Sequence, residues 1–446
     1  MNITTDFLAK ADEVRNRKIP EKVLLRARQS LLDYLAVTTA GAVFQKDKVR
    51  NYMHFAQPEK GDFSALGCGC KLALKEAVFL NGLNSHALDF DDGTNSGIIH
   101  LGAPIFSLLL PLAQRYDTSL EEVLRAAVIG YEVSYTMAVS MQPGHKALGY
   151  HATGTCGVLG AVIAASYMLG FSNEERFNAF AAACVSATGM LSVLDDGSEL
   201  KPYNVAKTVL LSLTSLQLAK AGFQGNPDSL GNHRGYLRMM TGRDDVKIKP
   251  FLLNNTYAIM KSYTKPYASC RYTHPSVEAA IHLREQIKAE DIGRIDIITY
   301  SLAVAGHDHT DIQGAYSAKM SIPYATAVGW IYGKAGLEEF SDKNVVDENI
   351  LRLVKKIHVN SDDMLSSLFP EIQAAVIRVT AKDGKTITNR VDYPKGEPEN
   401  PLSNEEFKER YDALMTYAEI NPESSNAVYD LVYKRGIMAK EIISHL

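Results

Sequence analysis

The chain has 446 residues, 46% hydrophobic and 22% charged, a length and balance that suit a soluble protein of two or three domains with a large core. Its formal net charge of −4 at pH 7 excludes the global basic field by which nucleic-acid binders hold phosphate. Five cysteines (Cys68, Cys70, Cys156, Cys184, Cys270) form an odd set with no framework spacing, which points to a reducing compartment. Cys68 and Cys70 lack a second pair that would complete a zinc or iron–sulfur site. The N-terminal segment MNITTDFLAKADEVRNRKIP carries mixed charge and does not read as a signal peptide. No run of about 18 apolar residues occurs, so we expect no membrane span and a cytoplasmic location.

In chain order, residues 21–42 place Val23, Leu24, Ala27, Leu31, Leu32, Leu35 and Ala36 at helical spacing. Residues 73–88 continue the pattern, and near-continuous apolar stretches follow at 103–113, 157–169 and 177–193. Helices apolar on most faces belong inside a large bundle. Ser119 with Glu122 and Ser172 with Glu175 are capping-box patterns, and Gly170 marks a helix end. Near residue 250 the texture changes. IDIITYSLAV (295–304), AAVIRVTAKDG (374–384) and KTITNRVDY (385–393) are β-rich, and Asp383-Gly384 is a hairpin turn signal. Helical patterns lie between them at 275–287, 318–333 and 346–357. KGEPENP at 395–401 reads as a linker, and two helices at 403–418 and 422–442 are too few to fold alone. We therefore expect a helical domain of residues 1–262 and 398–446 and an α+β lid of residues 263–397.

The polar segments lie at the junctions of these patterns. HALDFDDGTNSGIIH (His86–His100) sets His86, Asp89, Asp91, Asp92 and His100 close together, with His86 and Asp89 sharing a face if the helix continues. The cluster is open to three readings: a metal site, an oriented catalytic histidine, or a capped helix–loop junction. GYHATGTCG puts His151 among small residues that leave amides free at a helix start, where a carboxylate or the histidine itself can cap. Lys201 precedes Pro202 at the next helix start, as an anion-binding or a surface lysine. KPYASCRYTH brings Lys265, Arg271 and His274 together, as carboxylate ligands or as linker charge. No sequence feature marks Cys270 as a reactive thiolate. GHDHTD offers His307 and His309, which read as incidental.

Asn81-Gly82 with HALDFDD, then His100, GYHATGTCGVLGA, Lys201-Pro202, KPYASCRYTH and SIPY together resemble the ordered signatures of the MmgE/PrpD family along nearly the whole chain. The resemblance implies a mainly α fold with an α+β lid, a cleft active site, a homodimer and no cofactor or metal. It implies a small di- or tricarboxylate as substrate. The family's aspartate, two histidines, two lysines and tyrosine fall on Asp89, His100, His151, Lys201, Lys265 and Tyr324, and Arg271 and His274 join the lysines as candidate substrate ligands. Gly93, Leu101 and Asn204 stand where threonine, proline and histidine are common.

Abstracting a proton α to a carboxylate builds enolate-like charge that Lys201, Lys265 and Arg271 can stabilise. An imidazole is suited to exchange that proton near neutral pH. The expected activity is dehydration of a 2-methylcitrate- or citrate-type acid. The alternatives are cis-aconitate-type decarboxylation, epimerisation of an amino-dicarboxylate, and a carboxylate-binding scaffold without catalysis.

Overall fold

The computed structural model describes residues 2–194 and 198–446. Its N-terminal part is a bundle of helices α1 (Glu21–Phe44), α2 (Leu74–Ser85), α3 (Gly102–Tyr116), α4 (Leu120–Met141), α5 (Gly157–Met168), α6 (Asn173–Ser186) and α7 (Lys201–Lys220). The apolar runs have the expected consequence: every residue of α5 is buried, so it is the central helix, packed against α3, α4, α6 and α7. Close approach is set by small residues. A side chain at Gly160 would strike Ser134 and the carbonyl of Gly130 on α4. Ser172 and Glu175 form a full capping box, whereas Ser119 accepts from the amide of Glu122 without the reciprocal bond.

The second part centres on β1 (Ile292–Thr299), β2 (Ile357–Ser361), β3 (Ala375–Ala381) and β4 (Thr386–Val391), in the order β2-β1-β3-β4. β1 and β2 run parallel, and the other pairs are antiparallel. The β3–β4 hairpin turns where Asp383-Gly384 predicts it, with Gly384 at φ +90°. The run from 295 divides: β1 stops at Thr299, and Ser301–Val304 is a helical turn. Helix α8 (His274–Leu283) lies on β3 and β4, and α9 (Ile322–Tyr332) packs on α8.

The C-terminal helices return to the bundle. Helix α10 (Asn404–Tyr417), capped by the Ser403/Glu406 box, packs on α1, as does α11 (Pro422–Tyr433). The expected last helix is broken after Tyr433 and resumes as Ala439–Ile443 against α3. Arg410 of α10 is a clamp between distant segments. It pairs with Asp33 of α1 and donates to the carbonyls of Phe90 at 2.9 Å and Lys265 at 2.6 Å. The 395–401 segment is not a solvated linker, because Glu397 is buried and paired with Arg271. Among the described residues no helix is long and apolar enough to cross a membrane.

Candidate active site

Helix α2 ends at Ser85, before HALDFDD, so His86 and Asp89 do not share a helix face. His86 caps the helix, and the chain turns sharply at Asp89, whose φ of 51° lies in the left-handed region. A non-glycine residue there is strained and needs outside support. Three lysines supply it. Lys201, at the start of α7, places Nζ 2.5 Å from Asp89 Oδ1. Lys265 donates to the same oxygen at 3.0 Å and to the Asp89 carbonyl at 2.7 Å. Lys319 donates to the Leu88 carbonyl at 2.7 Å. Burial would raise the Asp89 carboxyl, but Lys201 and Lys265 hold it far below the ordinary carboxylate range. Burial draws the Lys319 ammonium down to about 7 against the pull of Asp89.

Asp91 and Asp92 serve the histidines and the next helix. Asp91 accepts from His86 Nδ1 at 2.8 Å and His100 Nδ1 at 3.1 Å. Burial would raise its carboxyl, yet the two imidazoles hold it well below the usual range. Burial lowers His86 to about 4, so His86 is a neutral donor near pH 7. Asp92 accepts from the Gly102 amide at 2.8 Å and Tyr131 Oη at 2.6 Å, tying the loop to the start of α3. Burial pushes its carboxyl up to about 6. His86, Asp91 and His100 bring three potential ligand atoms within 4.8 Å, a set that could hold a metal ion; here both Nδ1 atoms already donate to Asp91.

His100 and His151 differ in which nitrogen is committed. His100 Nδ1 faces the Asp92 carbonyl at 2.8 Å as well as Asp91, so it bears the hydrogen and Nε2 remains to exchange protons. His151 Nδ1 lies 3.1 Å from Asn204 Nδ2, which also donates to the Met190 carbonyl at 3.2 Å. His151 Nδ1 is therefore an acceptor and Nε2 carries the hydrogen. Burial, with His86 and Lys201 adding repulsion, keeps His151 neutral.

His100 and His151 line one cleft. Asp89, His100, His151 and Lys201 approach from the bundle, and Lys265, Arg271 and Gln373 from the second part. Arg271 holds Glu397 through Nε and Nη2, while Nη1 has no partner among the described residues. Asp89 Oδ2, Thr94 Oγ1 and Asn95 Oδ1 are likewise buried without partners, and all four residues line this cleft. Unsatisfied buried polar groups converging on one cavity are what a bound polar molecule would satisfy.

Two candidates lie elsewhere. Tyr324 is fully buried, its hydroxyl donates to the Glu339 carbonyl at 2.9 Å, and its ring packs on Phe340. It does not line the cleft; the SIPY segment sends its preceding residue Met320 there instead. His274 is buried beside Tyr267, with Nε2 facing the Ser269 carbonyl at 3.3 Å, and serves the local fold. Burial, with Arg271 and Lys265 adding repulsion, keeps it neutral, so it contributes no cationic ligand. His307 and His309 are not a pair: His307 lines the cleft and His309 faces Ser317.

Sequence reasoning missed Lys146, Tyr263, Tyr272 and Gln373 and read His307 as incidental, yet all five line the cleft. Lys146 stands five residues before His151, in the short helix Gly144–Ala147, a proximity that could have flagged it. Tyr263 and Gln373 carry no local signal. Two departures from the family pattern have structural reasons. A side chain at Gly93 would collide with Tyr263, and Asn204 orients His151. Leu101 is fully buried just before α3.

Comparison with known proteins extends this picture. The model of the MmgE/PrpD N-terminal domain matches residues 5–249, and that of the MmgE/PrpD C-terminal domain residues 267–433. The chain is 24% identical over 440 residues to cis-aconitate decarboxylase of Aspergillus terreus, covering 92% of this chain and 89% of that protein. It is 22% identical over 437 residues to the human cis-aconitate decarboxylase, covering 92% and 87%, and 24% identical over 438 residues to the Mus musculus protein, covering 92% and 86%. With both domain models matched in order, this chain belongs to the MmgE/PrpD family.

Proposed function

We propose that this protein is a lyase acting on a small di- or tricarboxylate, and that its reaction is decarboxylation of a cis-aconitate-type acid. The observation that carries the reading is one cleft in which Asp89, held by Lys201 and Lys265, adjoins His100, His151 and the free Nη1 of Arg271. Several relatives along 92% of the chain bear the name cis-aconitate decarboxylase, which favours decarboxylation over the dehydration expected from sequence.

In this reading Arg271 Nη1 and Lys146 take substrate carboxylates that do not react. The bond from carbon to the departing carboxylate breaks, carbon dioxide leaves, and the electron pair shifts the alkene to a terminal methylene. His100 Nε2, once it has taken a proton from solvent, passes that proton to the former alkene CH carbon. Neutral His151, donating through Nε2, and Lys201 stabilise the charge that develops on the remaining carboxylate. Burial lowers Lys146 to about 8, which leaves it largely charged at pH 7.

Dehydration is the second reading. Two imidazoles on one cleft supply both a base for the α-proton and an acid for the departing hydroxyl. Incubating chelator-treated protein with cis-aconitate, citrate and 2-methylcitrate tests both. Carbon dioxide from cis-aconitate supports decarboxylation, and alkene formation from a hydroxy acid without gas supports dehydration. Turnover that chelation abolishes and added metal restores would overturn the cofactor-free reading. Calorimetric binding without turnover of any acid would make the protein a carboxylate-binding scaffold.

A further inference from the structure

Two reactive side chains of the same cleft, Cys270 and His307, take no part in this scheme. Cys270 lines the cleft with His307, Tyr272 and Lys146. His307 Nδ1 lies 2.8 Å from the Ala305 carbonyl, so it bears a hydrogen and leaves Nε2 as the basic nitrogen. The His307 ring stands edge-on to Tyr272 at 5.1 Å, and Lys146 donates to the Tyr272 hydroxyl at 2.7 Å. Cys270 itself caps the turn Arg271–Thr273 that runs directly into α8, and its amide is fixed by the Lys319 carbonyl at 2.9 Å. A largely buried thiol that lines one cleft with an imidazole has the surroundings of a nucleophile. The unpartnered Nη1 of the adjacent Arg271 gives the same cleft a carboxylate ligand.

We propose that Cys270 is a nucleophile activated by His307, and that an α,β-unsaturated carboxylic acid held in the cleft adds to its sulfur. The thiol proton passes to His307 Nε2. The sulfur lone pair forms the S–C bond to the β-carbon, the alkene pair moves to the α-carbon, and the imidazolium returns the proton there. The product is a thioether, with no oxidant or reductant consumed. The inference rests on the lyase reading in one respect: decarboxylation or dehydration of such an acid leaves an alkene conjugated to a carboxylate, so the product itself is an electrophile of this class.

The charges around the thiol agree. Burial would raise it, but His307 lowers it below an ordinary thiol, with Asp89 opposing and Lys201 assisting; burial would lower His307, and Cys270 raises it. Lys146, Arg271, Tyr272, Tyr300 and Lys319 are further titratable neighbours. Cys70, half-buried and raised by burial alone, is an internal control in the same molecule.

The test is rate of alkylation by iodoacetamide against pH, read site by site by peptide mass mapping of the intact protein. Cys270 should reach its plateau at least about one pH unit below Cys70. His307→Gln should shift the Cys270 profile upward and leave that of Cys70 in place. Incubation with methylenesuccinate should add one acid molecule to Cys270, and propane-1,2,3-tricarboxylate should slow both reactions. Coincident Cys270 and Cys70 profiles, or no methylenesuccinate adduct on Cys270, would overturn the proposal. The wild-type comparison needs no variant to fold, and the iodoacetamide profile does not depend on turnover. A low-pH profile with an adduct but no lyase activity therefore sinks the functional reading and leaves the nucleophile standing.

Discussion

Lys265 donates to both the carbonyl and the carboxylate of Asp89, at 2.7 and 3.0 Å. One ammonium thus holds the backbone of a strained turn and the charge of its side chain. It also ties the segment between the two matched family domains to the first of them, at the cleft. Lys265→Ala should raise KM and lower stability by about 3 kcal/mol, because a buried carboxylate loses one of two cationic partners. Steady-state kinetics and denaturant unfolding check the two effects. An unchanged unfolding midpoint would show that Lys201 alone suffices.

The unequal tethering of the two cleft imidazoles separates their roles. His100→Gln should reduce kcat by about 10²–10⁴-fold, the range for loss of a proton-transfer group, and His151→Gln should fall in the same range. Asn204→Ala should cost about tenfold, because His151 then loses the donor that selects its tautomer. Near-normal kcat for His100→Gln on the authentic substrate would refute the assignment.

His86 governs part of the acid sensitivity. Its folded value near 4 lies below the unfolded value of about 6.5, so the unfolded chain binds the extra proton between those pH values. Its contribution is therefore complete above about pH 6.5 and is lost as pH falls toward 4. The His86→Gln variant should show a stability–pH slope in that window shallower by about 1.4 kcal/mol per pH unit. Denaturant unfolding at half-unit pH steps gives the slope for both proteins.

Tyr324 offers a contrast to the cleft residues. Tyr324→Phe removes one buried hydrogen bond to the Glu339 carbonyl and should cost about 1 kcal/mol with kcat within twofold. A loss of kcat above tenfold with unchanged stability would return Tyr324 to the site.

Hydrogen bonds hold the crossings between the two parts. Tyr263 donates to the Gly93 carbonyl and Thr264 to the Gly396 carbonyl, each at 2.9 Å. Arg410 holds the Lys265 carbonyl, and Glu397 joins Arg271 to Asn95. Limited proteolysis should therefore find the segments near 262 and 398 resistant without ligand. Cleavage there that propane-1,2,3-tricarboxylate suppresses would instead support closure of a lid on substrate.

Local pattern alone determined much of this protein. Apolar spacing located α1, near-continuous apolar runs located α3 and α5, Ser172/Glu175 and Ser403/Glu406 marked helix starts, and Asp383-Gly384 marked the hairpin, because these signals act within a few residues. The polar clusters at Asp89–His100, His151, Lys201 and Lys265–Arg271 were visible for the same reason. What each group does was not. The end of α2 at Ser85 is imposed by lysines up to 231 positions away that hold the carbonyls of Leu88 and Asp89. The tautomers of His100 and His151 depend on Asp92 and Asn204, and the partner of Arg271 is a glutamate in an apparent linker. Tyr324, read as a site residue by motif, turns to Glu339 because its helix packs on α8. Spacing along a chain fixes which face a residue occupies on its own element; only the packing of elements decides which buried charges meet, and hence which remain free for a ligand.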